Sequence, residues 1–118
     1  MMNENILNKI EDLINNKKIN QAQLEISKLG PEFYKNINYL FLRSKIFYMN
    51  KLYYQALDAL LIATEFGEDG KIYDFISKIY KILGNEDLSK KITNLDTRLK
   101  AINTLKKEVT GISQKEES

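Results

Sequence analysis

Cysteine, histidine and tryptophan are all missing from the 118 residues, and proline occurs once. Without Cys there is no disulfide, no thiol nucleophile and no CxxC redox pair. Without His the commonest general base and the usual zinc ligands are gone. No phosphate-cradling GxxxxGK[ST] or GxGxxG run is present, and Thr64 to Gly70 lacks the ligand spacing of a calcium loop. Adjacent carboxylates occur at Glu11-Asp12, Glu68-Asp69 and Glu86-Asp87. Neighbouring helix positions point in different directions, so these pairs are not acid–base dyads. The second and third fall where turns or helix starts are expected, and negative charge there suits the helix dipole. No catalytic residue, metal site or cofactor is expected, and the residues point away from an enzyme.

A strong charge of one sign is lacking too. Lys and Arg number 18 against 16 Asp and Glu, a net of +2. Only Arg43 and Arg98 carry the guanidinium fork that specific nucleic-acid and phosphate sites favour, so the small lysine excess argues against nucleic acid as the main ligand. No apolar run approaches the ~18 residues that span a bilayer. The opening Met-Met-Asn-Glu-Asn has neither a basic start nor an apolar stretch behind it. Membrane insertion is therefore not expected, and the cytoplasm is the expected location. Heavy use of Ile, Lys and Asn reads as the mark of an AT-rich, bacterial genome.

What the chain does have is helical periodicity, with no strict alternation of the strand type. Ile6, Leu7, Ile10, Leu13 and Ile14 form one stripe, and Ile19, Ala22, Ile26 and Leu29 a second that stops at Gly30-Pro31. A third segment, about Phe33 to Met49, and a fourth, about Leu52 to Phe66, are richly apolar. The fifth runs from Lys71 to Leu83 and ends at Gly84-Asn85. A sixth starts near Asp87 and carries Leu88, Ile92, Leu95, Leu99, Ile102 and Leu105. The last residues, from about Gly111, read as a disordered polar tail. Six helices with short turns make three pairs, recurring with a period near 34, the scale of a solenoid unit.

The central unit, Tyr39 to Phe66, resembles the tetratricopeptide repeat (TPR). In its first helix Leu40, Ser44 and Phe47 match the family's large, small and aromatic positions. In its second, Tyr53, Ala56, Leu60 and Ala63 match the aromatic, small, large and alanine positions. The small residues let two antiparallel helices approach closely, and the large ones fill the gap to the next pair. Glu68 stands near the place where the family commonly has Pro. The outer units match less well: Ile10 is not small in the first, while Tyr73, Ser77, Tyr80, Gly84 and Ser89 fit in the third, with Ile92 and Thr93 where large residues belong. The resemblance covers roughly residues 3 to 100. It implies an all-α, antiparallel helix-pair solenoid of about three TPR-like repeats with a longer C-terminal capping helix. An unrelated antiparallel bundle with the same periodicity is the alternative. In these terms residues 1–102 are the repeat domain with its C-terminal helix, and 103–118 the helix end and polar tail.

The resemblance also implies a function: binding a peptide or helix of a partner protein, as an adaptor, assembly factor or specific chaperone. The first helix of each pair would line a concave groove, with Phe41, Lys45, Tyr48, Met49, Lys78, Lys81 and Ile82 as its candidate partner-binding residues. That composition suits an amphipathic or extended segment with an acidic part. Core packing for the aromatics and a solvated face for the lysines are the plainer readings. One subclass of the family grips a C-terminal carboxylate, but Leu7, Glu11, Leu42, Lys71 and Phe75 hold the corresponding places here, which is no clamp. A second candidate is the heptad seam Leu88, Ile92, Leu95, Leu99, Ile102. Its first half is expected to cover the third pair. Beyond Leu99 it has either the array to fold back on or a second copy to pair with, which makes Leu95, Leu99 and Ile102 candidates for a homo-oligomer or partner contact.

Overall fold

A computed structural model describes the backbone of residues 2–117 and the side chains of residues 5–109. Among the described residues seven helices follow one another: α1 (Met2–Asn15), α2 (Ile19–Ser27), α3 (Ile37–Met49), α4 (Tyr53–Ala63), α5 (Gly70–Ile82), α6 (Glu86–Thr93) and α7 (Leu95–Glu117). A single 3-10 turn, Pro31–Phe33, lies between α2 and α3, and the described residues contain no strand.

The turns within the three pairs share one backbone geometry. Lys17, Lys51 and Gly84, 34 and 33 residues apart, take φ of 61°, 60° and 84°. At each, the next residue's N–H reaches back to a carbonyl five positions earlier: Lys18 to Leu13 at 2.8 Å, Leu52 to Phe47 at 2.9 Å, Asn85 to Tyr80 at 2.8 Å. This left-handed cap satisfies carbonyls orphaned at the helix end and turns the chain sharply. Four residues beyond each of Lys18, Leu52 and Asn85, a small buried residue begins the next helix's ladder: Ala22, Ala56 and Ser89. Ala22 and Ala56, like Ile10 and Ser44 on the first helices of their pairs, have no solvent exposure. In the third pair Ser77 and Ser89 hydroxyls meet at 2.6 Å. Small residues at the crossing allow the close approach on which the antiparallel pair depends.

The connections between pairs differ from the helix bounds the periodicity suggests. Phe33 was expected to open the third helix, but it lies in the 3-10 turn, buried as an anchor for the loop. The helix begins four residues later because Asn36 caps it, its side chain accepting the Tyr39 N–H at 3.0 Å. Asp69 caps α5 in the corresponding place, accepting from the Lys71 N–H at 3.1 Å.

Helix α1 packs on α2 and α3, α2 on α3, α3 on α4, α4 on α5, α5 on α6, and α6 on α7. Helix α7 also returns to lie against α4. The single long helix expected from Asp87 onward is instead two, broken at Asn94. Asn94 is extended (φ −89°, ψ 121°) and its side chain accepts the Asp96 N–H at 2.9 Å. Residues of the new helix close the old one: Thr97 Oγ1 donates to the Lys91 carbonyl at 2.7 Å and Arg98 Nε to that of Ile92 at 2.7 Å.

The break leaves the middle of the seam uncovered, while Ile92 before it is buried and Leu88 packs against the core. Leu95 and Leu99, in the half expected to cover the third pair, are 79% and 74% exposed. Ala101, Ile102, Leu105 and Val109, in the half beyond Leu99, are buried. Burying Ile102, Leu105 and Val109 stabilises the fold by roughly 1.5–3 kcal/mol each. The backbone of α7 continues to Glu117, through the segment read as a polar tail; Ser118 and the side chains after Val109 lie outside the described residues.

Candidate functional site

The face formed by α1, α3 and α5 carries the groove residues. On α3, Phe41, Lys45 and Tyr48 fall four and three residues apart, one side of the helix. On α5, Lys71, Phe75 and Lys78 do the same. The rings interlock: Phe41 meets Phe75 edge-on at 5.8 Å between centroids, and Tyr48 meets Phe75 at 5.1 Å. These are favoured edge-to-face arrangements. Helices α3 and α5 meet through this aromatic wedge, and a wedge of that size keeps their backbones apart and leaves the face open.

Phe41 and Tyr48 are half-buried, so each serves both as packing against the core and as floor of the face. Lysines stand over the rings. Lys45 Nζ lies 4.9 Å and Lys71 Nζ 5.2 Å from the centre of Phe41, and Lys78 Nζ 5.2 Å from that of Tyr48. Such cation–π contacts contribute about 0.5–1 kcal/mol at exposed sites and hold the flexible stems in place.

Two hollows open along the face. One, of about 380 Å³, is lined by Ile14, Asn15, Lys17, Lys45, Tyr48, Met49, Phe75 and Lys78. The other, of about 340 Å³, lies toward the start of α3 and is lined by residues including Leu7, Glu11, Phe41 and Lys71. Of the candidates read from the sequence, Lys45, Tyr48, Met49 and Lys78 share the first hollow, and Phe41 floors the second. Lys81 and Ile82 are exposed at the end of α5 and line neither. Beyond those candidates the larger hollow is also lined by Ile14, Asn15, Lys17 and Phe75. Phe75 could have been found from its spacing, midway between Lys71 and Lys78 on one helix face. Lys17 could not, because its position follows from the left-handed turn.

Both arginines lie away from this face. Arg98 stacks on Tyr73 at 4.1 Å and caps α6. Arg43 stacks on Phe47 at 5.4 Å and lines a separate hollow with Gln23 and Tyr34. Among the described residues no group of three or more carboxylates comes close enough to hold a metal ion, and no helix is long and apolar enough to cross a membrane.

Leu95 and Leu99 border a further hollow between α7 and the start of α5. Ile102, the third residue proposed for an oligomer contact, is 4% exposed and packs inside the chain, because α7 turns that side toward α4.

No family model, curated protein or solved structure matches this chain.

Proposed function

We propose that the chain is a TPR-like, non-enzymatic interaction module that takes a segment of a partner protein along the α1–α3–α5 face. An adaptor, an assembly factor and a dedicated chaperone are the roles such a module serves. The observation that carries the proposal is the half-buried Phe41–Phe75–Tyr48 cluster, open on one side and ringed by lysines. Apolar rings at the bottom of a hollow with charged edges favour burial of an apolar side chain and orient it. The repeat reading draws its support from the three left-handed turns at 34- and 33-residue spacing, each followed by a small buried residue. Met49, 43% exposed at the lip of the larger hollow, is the place to test it. A photo-crosslinking residue there should join the module to a defined partner segment, and Tyr48→Ala should abolish the crosslink with the circular dichroism spectrum unchanged. The same crosslinks from Lys90, on the exposed side of α6, would remove the proposal.

A second reading is self-association through α7, favoured by the exposure of Leu95 and Leu99 one helical turn apart. It predicts a dimer by light scattering that Leu95→Asp/Leu99→Asp converts to a monomer. A monomeric parent chain removes it.

A further inference from the structure

The larger hollow on the α1–α3–α5 face has an unbalanced charge. Lys17, Lys45 and Lys78 line it, and no Asp or Glu does. Among the described residues none of the three forms an ion pair. The other end of the face is different: Lys71 is paired with Asp69 at 3.4 Å and donates to Asn38 at 2.6 Å, so its charge is compensated within the chain.

The helix ends nearby do not account for the lysines. The last carbonyls of α1 and α3 are capped by backbone N–H groups of the left-handed turns. Lys45 and Lys78 instead rest against Phe41 and Tyr48, a contact that leaves an ammonium its full charge and its outward N–H donors. Three like charges around an apolar floor focus a positive potential there.

We propose that this hollow recognises an acidic segment of a partner protein, one in which a large apolar side chain is flanked by carboxylates. The apolar side chain packs on Ile14, Tyr48 and Phe75, and the carboxylates accept from Lys17, Lys45 and Lys78. A space of about 380 Å³ holds one or two side chains, so the recognised unit is short. Peptide is favoured over nucleic acid because both guanidinium forks lie away from the hollow, Arg43 stacked on Phe47 and Arg98 on Tyr73. This inference rests on the groove reading above and specifies the chemistry of its ligand.

The test is selection from a random peptide display library on the full-length chain, followed by fluorescence anisotropy on recovered peptides. The intact chain should enrich peptides with Asp or Glu beside Leu, Ile, Phe or Met. Their binding should weaken about tenfold on Lys45→Gln/Lys78→Gln, which keeps much of the stems over the rings, and should fall with added salt as screening shortens the field. Lys45→Glu/Lys78→Glu should enrich basic peptides instead. Neutral or basic peptides recovered by the intact chain and lost on Tyr48→Ala would overturn the acidic preference but keep the groove. Peptides indifferent to all these changes, or no enrichment, would overturn both. A labelled oligouridylate bound through Lys45 and Lys78 more tightly than any peptide would overturn the proposal in favour of nucleic acid.

Discussion

Two of the three pair-closing turns place a lysine where glycine is the easier residue. The left-handed conformation costs a residue with a Cβ about 1–2 kcal/mol, while glycine gives up roughly 0.5–1 kcal/mol in lost unfolded-state freedom. Lys51→Gly should therefore stabilise the chain by about 0.5–1 kcal/mol in urea unfolding. Gly84→Ala should destabilise it by about 1 kcal/mol. A Cβ at Gly84 meets nothing within 4 Å, so that loss reports the backbone alone. Equal stability of parent and variants would mean that the turns relax. Tyr80 supplies a second prediction at this scale. Burial, then the Glu108 carboxylate and Tyr54, push its phenol well above the usual 10.0. The folded chain thus holds that proton more tightly than the unfolded one. Tyr80's contribution is whole below about pH 10 and is lost as pH rises, first by ionisation of the unfolded chain. Between about pH 9 and 11 the thermal midpoint of the parent should fall more steeply than that of Tyr80→Phe. Every other ionisable group is common to the two proteins, so the difference between the curves isolates the phenol, and parallel curves would contradict it.

Among the elements, the pairs were legible because each carries its own stripe at helical spacing and stops at a turn. The C-terminal helix was not. Leu88, Ile92, Leu95, Leu99 and Ile102 keep a heptad rhythm straight through Asn94, and rhythm says nothing about a break that preserves spacing. The local chemistry does mark it: Asn94 with Asp96 two residues on is a helix start, and Thr97 and Arg98 have the reach to close α6 behind them. Leu99 and Leu105 separate the two descriptions. Leu105→Ala should cost about 2–5 kcal/mol, since the side chain is fully buried. Leu99→Ala, at 74% exposure, should stay within about 0.5 kcal/mol. Comparable losses from both, measured on the monomer, would restore the continuous seam.

For the whole molecule, the return of α7 onto α4 carries packing beyond helices that are neighbours in the chain. In a simple stack each pair touches only the next. Here the C-terminal helix packs on α4 as well as α6, while α1 and α2 pack mainly on each other and on α3. Native-state hydrogen exchange should show α4, α6 and α7 amides opening together near the global free energy, and α2 amides exchanging through a lower-energy local opening. Uniform protection along the chain would contradict that order.

Read alone, the chain shows the first five helices and the turns that close the pairs, because stripe spacing acts over a few neighbouring residues. It also shows that Phe41, Lys45 and Tyr48 share a helix side. Where α7 goes is settled by packing at long range, since it depends on which surface of α4 is left open once three pairs have packed. Such packing alone brought Lys17 and Phe75 to Tyr48, from turns and helices far apart in the chain. And it alone gathered the unpaired lysines: Lys71 has Asp69 two residues before it in the chain, while Lys17, Lys45 and Lys78 converge on a hollow with no carboxylate. Charge balance along a chain is a local count; charge balance in a hollow is a matter of which distant residues folding brings together.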